Sequence, residues 1–215
     1  MTALAKNLAQ GLDVRTSALV FSLTQQEHGW IVTTDDGAKH EADAVILTAP
    51  LPQSFSLMFS AGLEMPEQIR GIDYDRTVGL LVTLAGNQHN VPAPGGLQNP
   101  NDVFSFIGNN AAKGVSPSTA ITFHANPQWS LDNFDRPQEE LAADLLLAAQ
   151  PWLHGAIVVH REIKKWRFAT PQRVWPEPCW VHESGTLALA GDAFNGPKVE
   201  GAFLSGLTAA RRLIS

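Results

Sequence analysis

Along this chain the apolar residues change period several times. From Met1 to Leu12 they fall at Leu4, Leu8 and Leu12 with alanines beside them, a fourfold spacing that predicts a helix capped by Thr2 and ended by Gly11. Three strand-like runs follow, Val14 to Ser17, Ala18 to Thr24 and Trp30 to Thr34, before an Asp35-Asp36-Gly37 turn and a short polar run to Glu41. Ala44 to Ala49 is a continuous apolar stretch, the pattern of a strand buried on both faces in a parallel sheet. Pro50 stops it, and Pro52 suits the first turn of a helix through Phe59.

The middle of the chain is richer in strands. Thr77 to Leu84, Val103 to Ile107, Ala120 to Ala125 and Ile157 to Lys165 are predicted strands, with a Pro/Gly/Asn loop from Ala85 to Asn101. Pro127 to Phe134 reads as a short helix or turn. Gln138 to Leu153 reads as an amphipathic helix with Leu141, Leu145 and Ala148/Ala149 on one face. A Pro-rich connection from Pro171 to Cys179 then leads to a closing strand and helix. The pattern divides the chain into a β-rich lobe, residues 65–167, set between two α/β pieces, residues 1–64 and 168–215.

Composition narrows the function classes. The chain has 215 residues, 44% hydrophobic and 17% charged, enough for a sizeable core in one or two domains. A net charge of −6 and only scattered basic pairs give no footprint for nucleic acid or an anionic membrane. No apolar run approaches the length of a membrane span, and the N-terminus lacks a signal pattern, so a cytoplasmic protein with a small-molecule partner is expected. The single cysteine, Cys179, excludes an internal disulfide and reads as a buried thiol. The seven histidines show no metal-ligand spacing, so no metal is expected. Ser205 lies near glycines but lacks the G-x-S-x-G elbow, and a hydrolase reading fails.

The candidate chemistry lies in the last thirty or so residues. Leu187 to Ala190 is a small apolar strand ending in Gly191-Asp192, and after an Asn-Gly-Pro turn Val199-Glu200-Gly201-Ala202 opens a helix. Helix-start N–H groups favour an anion, a glycine permits close approach to the backbone, and the Asp192 carboxylate can accept hydrogen bonds from ligand hydroxyls.

Four segments in order extend this picture: the opening helix and strands through Ala18-Leu19-Val20; Asp43 to Pro52; Lys165-Trp166-Arg167-Phe168; and Gly191-Asp192 to Ala202. Together they resemble FAD-dependent amine oxidases and, more narrowly, renalase-like flavoproteins. The resemblance implies an α/β (α+β) fold: a partial FAD/NAD(P)-binding Rossmann-like domain with an inserted β-rich substrate domain. It implies FAD as cofactor, with Val20 meeting the adenine and Thr48, Ala49 and Pro50 along the dinucleotide. Gly191 and Asp192 would lie at the ribitol or pyrophosphate, and Val199, Glu200, Gly201 and Ala202 at the flavin edge. Trp166 would pack on the isoalloxazine or wall the substrate site, where Phe106, His124 and Phe168 are further candidates; no catalytic residue is assigned. The implied reaction is hydride transfer to flavin from a dihydronicotinamide isomer or an amine, followed by reoxidation by O2.

The chain departs from the family in one respect. Nowhere does it carry the G-x-G-x-x-G of a dinucleotide-binding turn; Gly95-Gly96 lies in a loop and lacks the third glycine. On the resemblance, the chain is expected to be a renalase-like protein without its first third: a fragment, a misplaced start, half of a split protein, or a degenerate relative. A non-catalytic chain that does not bind FAD alone is the alternative, with a partner chain or self-association at the face left open.

Overall fold

The computed structural model describes residues 2–215, with side-chain surroundings from Leu4 onward. The expected helix start at Met1 therefore lies outside the described residues, and so does the side chain of Thr2, its expected cap. Helix α1 is Thr2–Leu8, ending a turn earlier than its leucine spacing suggested; Leu4, Leu8 and Leu12 are exposed. Val14 to Ser17 forms no strand, and its residues are exposed. Strands β1 (Val20–Gln25), β2 (Trp30–Thr34) and β3 (Lys39–Ala42) make an antiparallel meander. Its two most buried side chains are Leu23 and Trp30, and the Trp30 indole donates to the Thr186 hydroxyl at 3.1 Å. Strand β4 is short, Val45–Leu47, and is followed by α2 (Leu51–Ser60) and a single turn of helix, α3 (Glu67–Arg70). Pro50 and Pro52 set the start of α2, which buries Leu51, Ser54 and Met58 at helical spacing.

A separate compact unit, Asp73–Gln172, begins with β5 (Tyr74–Leu84). It continues through β6 (Gly96–Gln98), β7 (Phe104–Asn109), β8 (Ala120–Ala125), α4 (Pro127–Asn133), α5 (Gln138–Leu153) and β9 (Val158–Pro171). The boundaries fall later in the chain than residues 65 and 167. The five strands form one antiparallel sheet in the order β6-β7-β8-β5-β9. Alternation assigns Val78, Leu80, Val82 and Leu84 of β5 and Ile121, Phe123 and Ala125 of β8 to one face. Helix α5 covers that face with Leu141, Leu145, Ala149 and Leu153, all at most 1% exposed. Asn126 caps α4 by accepting the Trp129 N–H at 2.8 Å, and the buried Ser130 hydroxyl accepts the Val78 N–H at 3.0 Å. The opposite face of the sheet carries no helix of this unit.

The remaining elements are β10 (Trp180–Val181), β11 (Leu187–Leu189) and α6 (Val199–Leu213), which fold with the N-terminal elements into the first unit. The three-stranded sheet runs β10-β11-β4, with β11 and β4 parallel and Leu189 opposite Leu47. The parallel pairing follows the apolar run at Ala44 to Ala49, but its double-sided burial does not. Val45 and Ile46 are half-buried and Ala44 and Thr48 exposed, because β4 is the sheet's edge; β11, the middle strand, is the one buried throughout.

Candidate functional site

Because β4 and β11 are parallel, their carboxyl ends leave the sheet side by side. The Ala190 N–H extends the ladder by donating to the Leu47 carbonyl at 3.0 Å, after which the chain turns at Gly191. The crevice beyond such strand ends is the ordinary ligand position in open parallel sheets. Gly191 has φ 138°, and a Cβ there would meet only the Thr48 carbonyl at 3.6 Å; conformation rather than space requires glycine. Its N–H donates to the fully buried Ser205 hydroxyl of α6 at 2.9 Å, so strand end and helix are joined directly. Sequence reasoning considered Ser205 only as a nucleophile and missed this structural role.

Asp192 is half-buried. Burial pushes its carboxyl above the usual carboxylate range, opposed by hydrogen bonds from the Asp192 and Ala193 backbone N–H groups. Helix α6 starts at Val199 without a side-chain cap from Lys198, and the Ala202 N–H is bonded to the Lys198 carbonyl. The three N–H groups before it, on Val199, Glu200 and Gly201, have no intrahelical acceptor, and Glu200 in that first turn faces the same dipole. The structure supplies its own reason for Gly201: a Cβ there would strike the Gly196 carbonyl, so this glycine seats the preceding turn.

The other predicted cofactor residues are dispersed. Thr48 is exposed and Ala49 and Pro50 half-buried, with the Ala49 carbonyl accepting from the Ser54 hydroxyl at 2.9 Å. Val20 starts β1, in the meander rather than in the sheet of Gly191. Cys179 is 1% exposed beside Ala188, Ala190 and Ala209, and burial pushes its thiol up, leaving it protonated and inert. The broad groove of this unit, about 1470 Å³ between Phe59, Glu64, Trp180 and His182, opens near the start of β11, away from Gly191.

Trp166, Phe106 and His124 belong to the second unit, on the sheet face that α5 leaves open, and Phe168 lies in the irregular stretch of β9 between Trp166 and Thr170. Phe106 and His124 are cross-strand partners with ring centres 5.7 Å apart, and His124 meets Trp166 edge-on at 5.5 Å. Phe168 instead packs edge-on against Tyr74 at 5.7 Å. The row has a floor of glycines. A Cβ on Gly79 would lie 2.6 Å from the Trp166 ring, and one on Gly108 2.8 Å from Phe106, so each ring fills the space over a glycine. Burial, and then the charge of Lys113, hold His124 below the ordinary histidine range, in the neutral form at neutral pH. Lys113 and the two glycines escaped sequence reasoning, since each matters only through a cross-strand neighbour.

Residues 1–214 match the family model for flavin containing amine oxidoreductase. The chain belongs to the flavin-containing amine oxidoreductases. A putative protoporphyrinogen oxidase from Exiguobacterium sp. 255-15 superimposes with a TM-score of 0.70 at 14% identity, over 99% of this chain and 51% of that one. Putrescine oxidase bound to putrescine does so with a TM-score of 0.66 at 16% identity, over 99% and 52%. Polyamine oxidase 4 of Oryza sativa subsp. japonica is 50% identical over 44 residues, 20% of this chain and 9% of that protein. The chain thus spans about half the length of the solved structures it matches and a small part of the curated relative.

For this amine oxidoreductase chain, family membership implies a flavin, FAD. The strand-end turn fits such a group in part: open N–H groups at the start of α6 suit an anion, and the half-buried Asp192 suits a ligand hydroxyl. The sequence supplies no glycine-rich cradle for the pyrophosphate. No described helix is long and apolar enough to cross a membrane.

Proposed function

We propose that this chain provides part of the FAD site and the substrate face of a renalase-like or amine oxidase-like oxidoreductase acting in the cytoplasm. Its substrate is a small reduced molecule, a dihydronicotinamide isomer or an amine. When bound, FAD supplies the redox chemistry, accepting a hydride and returning the electrons to O2. The chain's own residues bind and orient. Gly191 turns the backbone under the hold of Ser205, Asp192 accepts from a cofactor hydroxyl, and the start of α6 faces developing negative charge. The rings of Phe106, His124 and Trp166 offer apolar contact and exclude water, and a neutral His124 adds no charge of its own.

The observation that carries this reading is the Gly191-Asp192 turn at the carboxyl ends of two parallel strands, hydrogen-bonded to the helix whose start it precedes. The test is to purify the full chain with added FAD, pass it through gel filtration and record its visible spectrum. Flavin absorbance co-eluting with folded protein is expected; a folded, colourless protein overturns the reading for the chain alone. A second reading, in which further polypeptide must supply a glycine-rich turn before FAD is held, is favoured by the absence of G-x-G-x-x-G from the sequence. In that reading the partner packs against the exposed apolar surface of the first unit.

A further inference from the structure

The open sheet face of the second unit has a charge pattern as well as a shape. Lys113 follows β7 in a turn built by the buried Asn109, whose side-chain carbonyl accepts the Ala111 and Ala112 N–H groups at 3.0 and 3.1 Å. The Lys113 N–H donates to the Asn109 carbonyl at 3.2 Å, bringing the side chain back over the sheet. Its ammonium lies 4.8 Å from the centre of the Phe106 ring and above Gly108, where no side chain obstructs it. Among the described residues Lys113 makes no ion pair. Of the other charges on this face, Lys164 and Glu162 of β9 pair with each other, and Asp75, two positions before Thr77 on β5, accepts from the Gln172 side chain at 3.1 Å.

We propose that this face selects a flat, ring-bearing anion over a cation of the same shape, and that Lys113 is the residue that sets the preference. The proposal rests on the reading of the Phe106–His124–Trp166 row as the substrate face. A planar ring stacks on aromatic side chains whatever its charge, so the row sets shape and the cation beside it sets sign. Over Phe106 the position a ligand ammonium would take is already held by the chain's own Lys113. An incoming cation at Phe106 must displace that ammonium or sit beside it. A carboxylate or phosphate on the ligand instead gains a charge-assisted contact from Lys113.

The test uses two probes of one shape and opposite charge, 2-naphthoate and 2-naphthylmethylammonium, titrated into the full chain and followed by tryptophan fluorescence. The Trp166→Phe variant identifies the signal that comes from this face. Naphthoate is expected to bind roughly tenfold tighter than the ammonium probe. Lys113→Met should bring the two affinities together and Lys113→Glu should invert their order, with thermal melting unchanged because the residue is exposed. Equal or tighter binding of the ammonium probe by the unmodified chain overturns the proposal. So does a preference that survives in Lys113→Met, or failure of both probes to perturb Trp166. The cofactor reading is judged separately by flavin absorbance: a colourless chain with the stated preference leaves this proposal standing, and a yellow chain without it does not.

Discussion

Asp192 shows how a single residue can trade stability for binding. Its carboxyl is raised above the usual carboxylate range chiefly by burial, so the folded chain disfavours the charged form that exists at neutral pH. A carboxyl whose folded pKa exceeds its unfolded one costs stability above the folded pKa. That cost is relieved as pH falls through it and has vanished below the unfolded value. Asp192→Asn should therefore raise the melting temperature of the cofactor-free chain at pH 7, with the gain fading as pH approaches the ordinary carboxylate range. The same variant should retain less FAD on gel filtration, since an amide is the weaker acceptor for a ligand hydroxyl. A lowered apo melting temperature would instead make Asp192 a structural cap.

At the scale of elements, legibility followed pattern length. Helix α5 and strand β8 have the bounds their periodicity predicted, Gln138–Leu153 and Ala120–Ala125, because each presents one continuous face to the same core. Strand β6 and helix α3, three and four residues long, are too short to establish a period. Strand β9 runs on from Lys165 to Pro171 because it pairs with the first half of β5, although that stretch mixes exposed and half-buried positions with no clean alternation. Val14 to Ser17 has strand-like residues but no partner strand, and pairing decides. The aromatic row was legible only as separate residues; cross-strand register brings Phe106 beside His124. The α5–sheet core should dominate the stability of the second unit. Leu145→Ala, at a site with no exposure, should cost about 2–5 kcal/mol in denaturant unfolding; a loss under half of that range would place the decisive packing elsewhere.

Over the whole chain, apolar residues left in solvent are informative by where they fall. The first unit exposes Leu8, Leu12, Phe21 and Phe59, and α6 adds Val199, Phe203 and Leu207. In α6 the buried residues are Ser205 and Ala209, so the helix turns its small residues inward and, on the other side, its large apolar ones outward. Contiguous apolar surface of this kind drives association. The purified chain should elute from a sizing column ahead of a monomer, increasingly so at higher concentration. Phe203→Lys with Leu207→Lys should return it to the monomer position without lowering its melting temperature. A wild-type chain that stays monomeric at high concentration would count against an interface on α6.

The two attachments of the strand-end turn to α6, Gly191 through the Ser205 hydroxyl and Gly196 through its carbonyl against Gly201, have a mechanical consequence. Asp192 lies between them in the chain, so a shift of α6 is expected to carry the turn and its carboxylate with it. Packed interiors transmit displacement rather than absorbing it. A contact on the outward side of α6, at Phe203 or Leu207, is therefore expected to be felt at the acid.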